Sequence, residues 1–268
     1  MSHFLSKYNA LLKIEWAIML AYRSESIIWM IGAFVQPLVS MAVWLTIQSD
    51  SQAGGFGATE VVIYFIGVLV VERLTRTWDV WELDRDIREG TMSSKMLRPF
   101  HPVHWSLASN LVYKLFFAMI MLPVWVVLSV FFPIFRLPID VEMLLLLLLA
   151  LVLSSALRFL IGYEFGLLAF WTNKATAVYM LYEGIHLFMA GRIAPLSLFP
   201  DWIAELARWL PFYATVGFPV ELMMGRFEDQ PQLIVQNLIV QAAWTVVFLL
   251  LFRWLWRAGV KKYGAVGG

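Results

Sequence analysis

Four ionisable residues lie inside or beside long apolar runs: Arg158, Glu164, Glu183 and His186. A charged side chain near the centre of a bilayer costs roughly 2.5–3.5 kcal/mol on insertion scales, so each such residue needs a partner or a task. Depth arithmetic predicts one partnership. At 1.5 Å per residue, a helix descending from Met143 puts Arg158 about 22 Å down. A helix climbing from Ala175 across a ~30 Å core puts Glu183 about 18 Å down. The expected Arg158–Glu183 pair would either fix helix packing or line a path for cargo. Other chemistry finds little support. Nothing matches Gly-x-x-x-x-Gly-Lys-Ser/Thr, so the chain lacks that route to nucleotide hydrolysis. His101-Pro-Val-His104 has two potential metal ligands but no third nearby, so it reads as loop and no metal site is expected. The absence of cysteine excludes thiolate chemistry and disulfides.

The elements that hold these residues follow from composition. The chain is 61% hydrophobic and 15% charged, where a soluble domain carries about 25% charge. It therefore reads as a single all-α polytopic membrane unit. A net charge of +1 gives no argument for a nucleic-acid partner. Residues 4–22 read as an amphipathic helix, with Phe4, Leu5, Tyr8, Leu11, Leu12, Trp16 and Met19 at helical spacing. It either packs on protein or lies in the headgroup plane. No cleavable leader precedes the first apolar run, which is expected to direct insertion.

Six spans are expected at 27–47, 59–80, 111–132, 141–170, 175–190 and 233–256. Trp29 and Trp44 would be belt residues of the first span, and Pro37 would kink it. The loop Gln48 to Thr59 holds Gly-Gly-Phe-Gly and no basic residue. The second span should continue as one helix past Val71, with Glu72 and Arg76 as an i,i+4 pair. A turn at Phe132-Pro133 through Leu137-Pro138 separates spans three and four. Gly162 and Gly166 on span four predict a close helix contact. Residues 191–225 are too broken for a span and too apolar for an ordinary loop. They read as a re-entrant extracytoplasmic hairpin that includes a short helix from Asp201 to Trp209, capped by Asp201. Lys and Arg number fourteen on the side of both termini against four on the other. That bias puts both termini and the polar stretch 81–104 in the cytoplasm.

Two stretches carry a resemblance. One is Ile87-Arg-Glu-Gly90-Thr-Met92 followed by Met96-Leu97-Arg98-Pro99. The other is Gly191-Arg-Ile-Ala-Pro195-Leu-Ser-Leu-Phe-Pro200, continuing to Leu210-Pro211-Phe212 and Phe218-Pro219. With the span pattern, they make the chain resemble the permease subunit of type-two ABC exporters, in a bacterial branch of that family. The resemblance implies a multi-pass protein of the bacterial inner membrane that pairs with a second permease, identical or a paralogue. Two copies of a cytoplasmic ABC ATPase would dock below. Mg-ATP would sit on that partner, and this chain would hold no cofactor.

The resemblance further implies that 81–104 is the coupling loop. Asp84, Arg85, Arg88, Glu89 and Arg98 would form its polar rim, and Ile87, Met92, Met96 and Leu97 its apolar anchors. Gly90 would permit an unusual backbone turn, and Pro99 would end the helix. Trp171 and Lys174 would make a second cytoplasmic contact. Arg192, Pro195, Pro200, Pro211 and Phe212 would shape an outer gate. Two other classes stay open. A secondary transporter would couple to an ion at broken helices. An intramembrane enzyme would need a convergent set of acids and bases, of which only Glu183 and His186 stand together. The cargo is not legible.

Overall fold

The computed structural model describes residues 2–32, 34–48, 57–136 and 140–263. The first loop's Gly54-Gly-Phe56 and the Leu137-Pro138 turn lie outside them. The described residues form α-helices and short 3-10 turns and contain no strand. The helices are α1 (Ser2–Ala21), α2 (Arg23–Gly32), α3 (Val35–Gln48), α4 (Ala58–Thr75), α5 (Asp79–Arg88), α6 (Met92–Met96), α7 (Val103–Phe131), α8 (Val141–Leu167), α9 (Ala175–Met189), α10 (Asp201–Trp209), α11 (Gly217–Met223) and α12 (Pro231–Lys262).

Four stretches are long and apolar enough to cross a bilayer: Arg23–Ile47, Val103–Phe131, Val141–Phe170 and Pro231–Lys262. The other two expected spans differ in kind. α4 carries Glu60, Glu72 and Arg73 within its 18 residues. α9 has 15 residues and rises only about 22 Å. Much of α4 is buried by its neighbours, including Val61, Tyr64, Phe65, Val68 and Val71. A helix screened from lipid by protein need not be apolar throughout.

The polar stretch is helical rather than a loop, and this corrects two expectations. First, the helix of span two does not run on to residue 80. It ends at Arg76, whose backbone turns extended (φ −58°, ψ 150°), and restarts at Asp79. The break is pinned by Asp79, which accepts from Thr77 Oγ1 and from Asn110 Nδ2 of α7 at 2.9 Å. Second, α7 begins at Val103, eight residues before the expected start, with Pro102 at its N-cap. Pro37 sits in the first turn of α3, where the missing N–H matters little.

Other local expectations meet mixed outcomes. α10 has the expected bounds, but Pro200 takes the cap and Asp201 is the first helical residue, with no side-chain capping bond. Asp140 caps α8 instead, accepting from Met143 N at 2.8 Å. α1 packs along α7 with Leu11 buried and Tyr8 edge-on to His104, while Ile14, Ile18 and Leu20 remain exposed. It thus combines protein packing with an outward apolar side.

Three cores lie along α8. Its first turns pack Leu147 and Ala150 against Leu196, Tyr213, Phe218 and Ile234. A second core joins α4 to Ala190, Val216 and Val220. At the far end, Phe159, Tyr163 and Leu167 pack with Leu83, Ile87, Met92 and Leu255. The 191–225 segment therefore gathers at one end of α8, and α5, α6 and the last turns of α12 at the other.

Candidate functional site

Three helices and the turn that follows α9 deliver charge to one buried point. Glu72 comes from the last turn of α4, Arg158 from α8, Glu183 from α9, and Arg192 from the segment just beyond α9. Arg158 Nη1 lies 2.7 Å from Glu72 Oε1, and its Nη2 lies 3.5 Å from Glu183 Oε1. Arg192 closes the ring, with Nε 2.8 Å from Glu72 Oε1 and Nη1 3.0 Å from Glu183 Oε2. Anion and cation alternate, so the ring is neutral as a whole. Removing four charges from water costs several kcal/mol per ion, and alternation with short contacts is what offsets it.

A hydroxyl and imidazole shell completes the ring. Thr215 Oγ1 donates to the Phe212 carbonyl at 2.6 Å, so toward His186 Nε2, 2.8 Å away, it acts as acceptor. His186 Nε2 therefore carries the proton, leaving Nδ1 to accept from Arg192 Nη1 at 3.3 Å. The imidazole is neutral in this arrangement. Tyr179 Oη donates to Glu183 Oε1 at 3.2 Å, and the rings of Tyr182 and Phe212 cover the cluster.

The broken backbone beside the ring is satisfied by side chains. Gly191 turns with φ +77°, where an added Cβ would lie 2.5 Å from Tyr64 Oη. Tyr64 Oη donates to the Gly191 carbonyl at 2.7 Å, Gln36 Nε2 to that of Arg192 at 3.1 Å and Trp44 Nε1 to that of Ile193 at 2.8 Å. Further on, the Ala214 carbonyl accepts from Ser154 Oγ at 3.0 Å and Gln241 Nε2 at 2.7 Å. Non-helical backbone inside a membrane protein requires such internal partners. Trp44 thus turns its indole N–H inward, whereas Trp29 is exposed. Tyr64→Phe is expected to leave the buried Gly191 carbonyl unpaired and cost about 1–3 kcal/mol. A lowered melting midpoint of the purified chain would register it.

At the other end, α5 and α6 form a platform on which two acidic residues, Asp84 and Asp86, are used internally. Asp84 binds Arg88 at 2.6 Å, and Asp86 binds Lys95 and Thr91. Burial pushes the Glu82 carboxyl above its ordinary range, with Lys95 opposing. Glu15 of α1 is raised as well, by burial and then by Glu82. Gly90 makes the turn between α5 and α6 with φ +79°, a conformation that L side chains avoid.

The expected apolar anchors divide. Ile87 and Met92 are buried in the chain's own core, so they are not free for a partner as expected, and Met96 is half-buried. Leu97 is 88% exposed. Arg85, Arg88, Glu89, Arg98 and Pro99 are also exposed, and the Arg98 guanidinium lies 4.7 Å from the Trp105 ring centroid. α6 stops at Met96, before Pro99. Trp171 and Lys174, both exposed, flank the turn beside this platform. Phe170, Asn173, Lys262 and Tyr263 line an open groove with Ile87 and Arg88. His101 Nδ1 accepts from Val103 N at 3.2 Å, and its ring packs on Trp256.

α8 joins the two regions. The Gly162 and Gly166 faces of α8 receive Thr77, Val80 and Leu83, so α5 crosses α8 one to two turns from Arg158. The sequence reading missed Glu72 and Arg192 as ring members. Glu72 had a local i,i+4 partner in Arg76, and Arg192 stood with the gate residues. A carboxylate closing the apolar run Val61–Val71, and an arginine directly after Gly191, were the available signals. Glu164 is buried but joins no ion pair among the described residues. Pro195 and Pro211 are buried, Phe212 covers the ring, and Pro200 is exposed.

Four helical stretches long and apolar enough to cross a bilayer, gathered around a buried ion-pair ring, mark a multi-pass membrane protein. A family model described as ABC-2 family transporter protein matches residues 29–267, and the chain belongs to that family, as a permease of the ABC-2 type. No match to a curated protein accompanies it.

Proposed function

We propose that the chain is the permease subunit of an ATP-driven exporter, forming half of the translocation path beside a second permease, identical or a paralogue. Two cytoplasmic ABC ATPase subunits would bind Mg-ATP and dock on the α5–α6 platform, with Trp171 and Lys174 as a smaller contact. In this reading α4 and α9 complete six spans, and 191–225 is a re-entrant hairpin at the outer face. Both termini are cytoplasmic, and the membrane is the bacterial inner membrane.

The observation that carries the reading is the platform's division of labour. Asp84 and Asp86 and two of its apolar residues are consumed by the fold, while Arg85, Arg88, Glu89, Arg98 and Leu97 are exposed, Arg88 also holding Asp84. A predominantly basic rim, three arginines to one glutamate, around an exposed leucine suits a protein partner. ATP-driven closure of the partner would shift α5. α8 would feel it through Gly162 and Gly166, and α4 through residues 76–78. Both lead to the ring, whose opening would separate the spans from the hairpin.

Arg85→Glu combined with Leu97→Asp tests this. Neither side chain is part of the core, so insertion and melting should be unchanged. Co-purification of the ATPase and transport should both fall by more than tenfold. Full retention of both would sink the assignment of the platform.

A further inference from the structure

The last turns of α12 carry two parallel ridges. Val246, Leu250 and Trp254 repeat at four-residue spacing, and Trp254 is 63% exposed. Arg253, Arg257 and Lys261 repeat at the same spacing on the adjoining ridge, all exposed. At 100° per residue the three cations fall within an arc of about 80°, and they span about 12 Å of axis. Between the ridges runs an open groove lined by Leu250, Arg253, Trp254, Arg257, Ala258 and Lys261. Among the described residues no ion pair involves any of the three cations.

We propose that this groove holds the headgroup of an anionic phospholipid, with its phosphate on the basic ridge and an acyl chain along the apolar one. Depth agrees. A core of ~30 Å takes about 20 residues, so one counted from Leu233 ends near Arg253. The cations thus begin where the hydrocarbon stops, and Trp254 sits at the level of an interfacial aromatic. Basic residues also suit a helix C-terminus and a cytoplasmic end. Those effects fix the sign of the charge, not its alignment beside an apolar ridge. Lys262, which has the same sign, faces the other groove beside Arg88. Basic pockets at the cytoplasmic ends of membrane helices recognise lipid phosphates. Two arginines one turn apart should favour a headgroup with two phosphodiesters over one. The inference needs only that α12 crosses the membrane, and it is independent of the coupling platform.

The test is native mass spectrometry of the full chain, with whatever subunits accompany it, titrated with phosphatidylglycerol, cardiolipin or phosphatidylcholine. Each cation removed should weaken binding of the anionic lipids about fivefold, so Arg253→Gln/Arg257→Gln/Lys261→Gln should lose about a hundredfold. Phosphatidylcholine binding should not change. Arg257→Lys should stay within about twofold of the parent, and Arg257→Gln alone, with its expected loss of about fivefold, supplies a readout if the triple variant folds poorly. Lys7→Gln/Lys13→Gln/Arg23→Gln lowers net charge equally and should keep its affinity. Equal losses in both triple variants would overturn the site in favour of general attraction. Undiminished lipid binding in the α12 variant would overturn it too. If that variant instead lost only its ATPase partner, the face would belong to protein.

Discussion

Arg158→Met is expected to lower stability by about 3–5 kcal/mol, the cost of leaving a buried partner charge uncompensated. Two carboxylates lose their cation at once, since Arg158 contacts Glu72 at 2.7 Å and Glu183 at 3.5 Å. Arg192 still reaches both, at 2.8 and 3.0 Å, but one guanidinium cannot replace two. Glu72→Met alone should cost a comparable amount, by leaving Arg158 with its single longer contact. The Glu72→Met/Arg158→Met double variant should recover most of the loss. It removes one charge of each sign and leaves the 3.0 Å Arg192–Glu183 pair intact. Melting midpoints of the four proteins form a double-mutant cycle, and strictly additive losses would contradict the ring. Exchanging Arg158 and Glu183 for each other should not rescue. The exchanged pair would attract, but position 158 would then set a carboxylate against Glu72, and position 183 a guanidinium against Arg192.

That last point shows where sequence reasoning stops. Composition and run length identified a helical membrane protein, because the cost of burying charge in lipid is local and can be read residue by residue. The bounds of α8 and α9 were legible for the same reason, and those of α10 because Pro200 and Pro211 bracket it. Depth counting brought Arg158 near Glu183, because rise per residue is fixed. It could not find Glu72 or Arg192, since a ring of four depends on how α4 rotates and where the chain turns after α9. The platform misled in the opposite direction. Ile87 and Met92 looked like anchors for a partner because a polar stretch with scattered apolar residues has two readings. Only the course of α5 across α8 shows that the chain itself buries them. The division of span two at residues 76–78 was hidden as well. Asp79 holds it through Asn110, 31 residues away.

Gly166→Leu should uncouple the platform from the spans. A Cβ at residue 166 would lie 2.8 Å from Leu83 Cβ and 3.2 Å from Val80 Cα, and the second of these is backbone that cannot swing aside. At Gly162 a Cβ would meet Thr77 Cγ2 at 2.5 Å. Overpacking of this kind costs about 1–3 kcal/mol where neighbours can shift. Here the element that must shift is α5, which carries Arg85 and Arg88. An Ala, Val, Leu series at residue 166 should therefore show activity falling faster than stability. Transport should be lost by leucine, while the ring, two turns away along α8, still holds the spans together. Gly32→Ala and Gly184→Ala serve as controls, because an added Cβ meets nothing within 4 Å at either position. The paired measurements are ATP-dependent transport in vesicles and the melting midpoint of the purified chain. If transport survives leucine at residue 166, α5 does not work through its contact with α8, and the proposed coupling would have to run through the 76–78 connection alone.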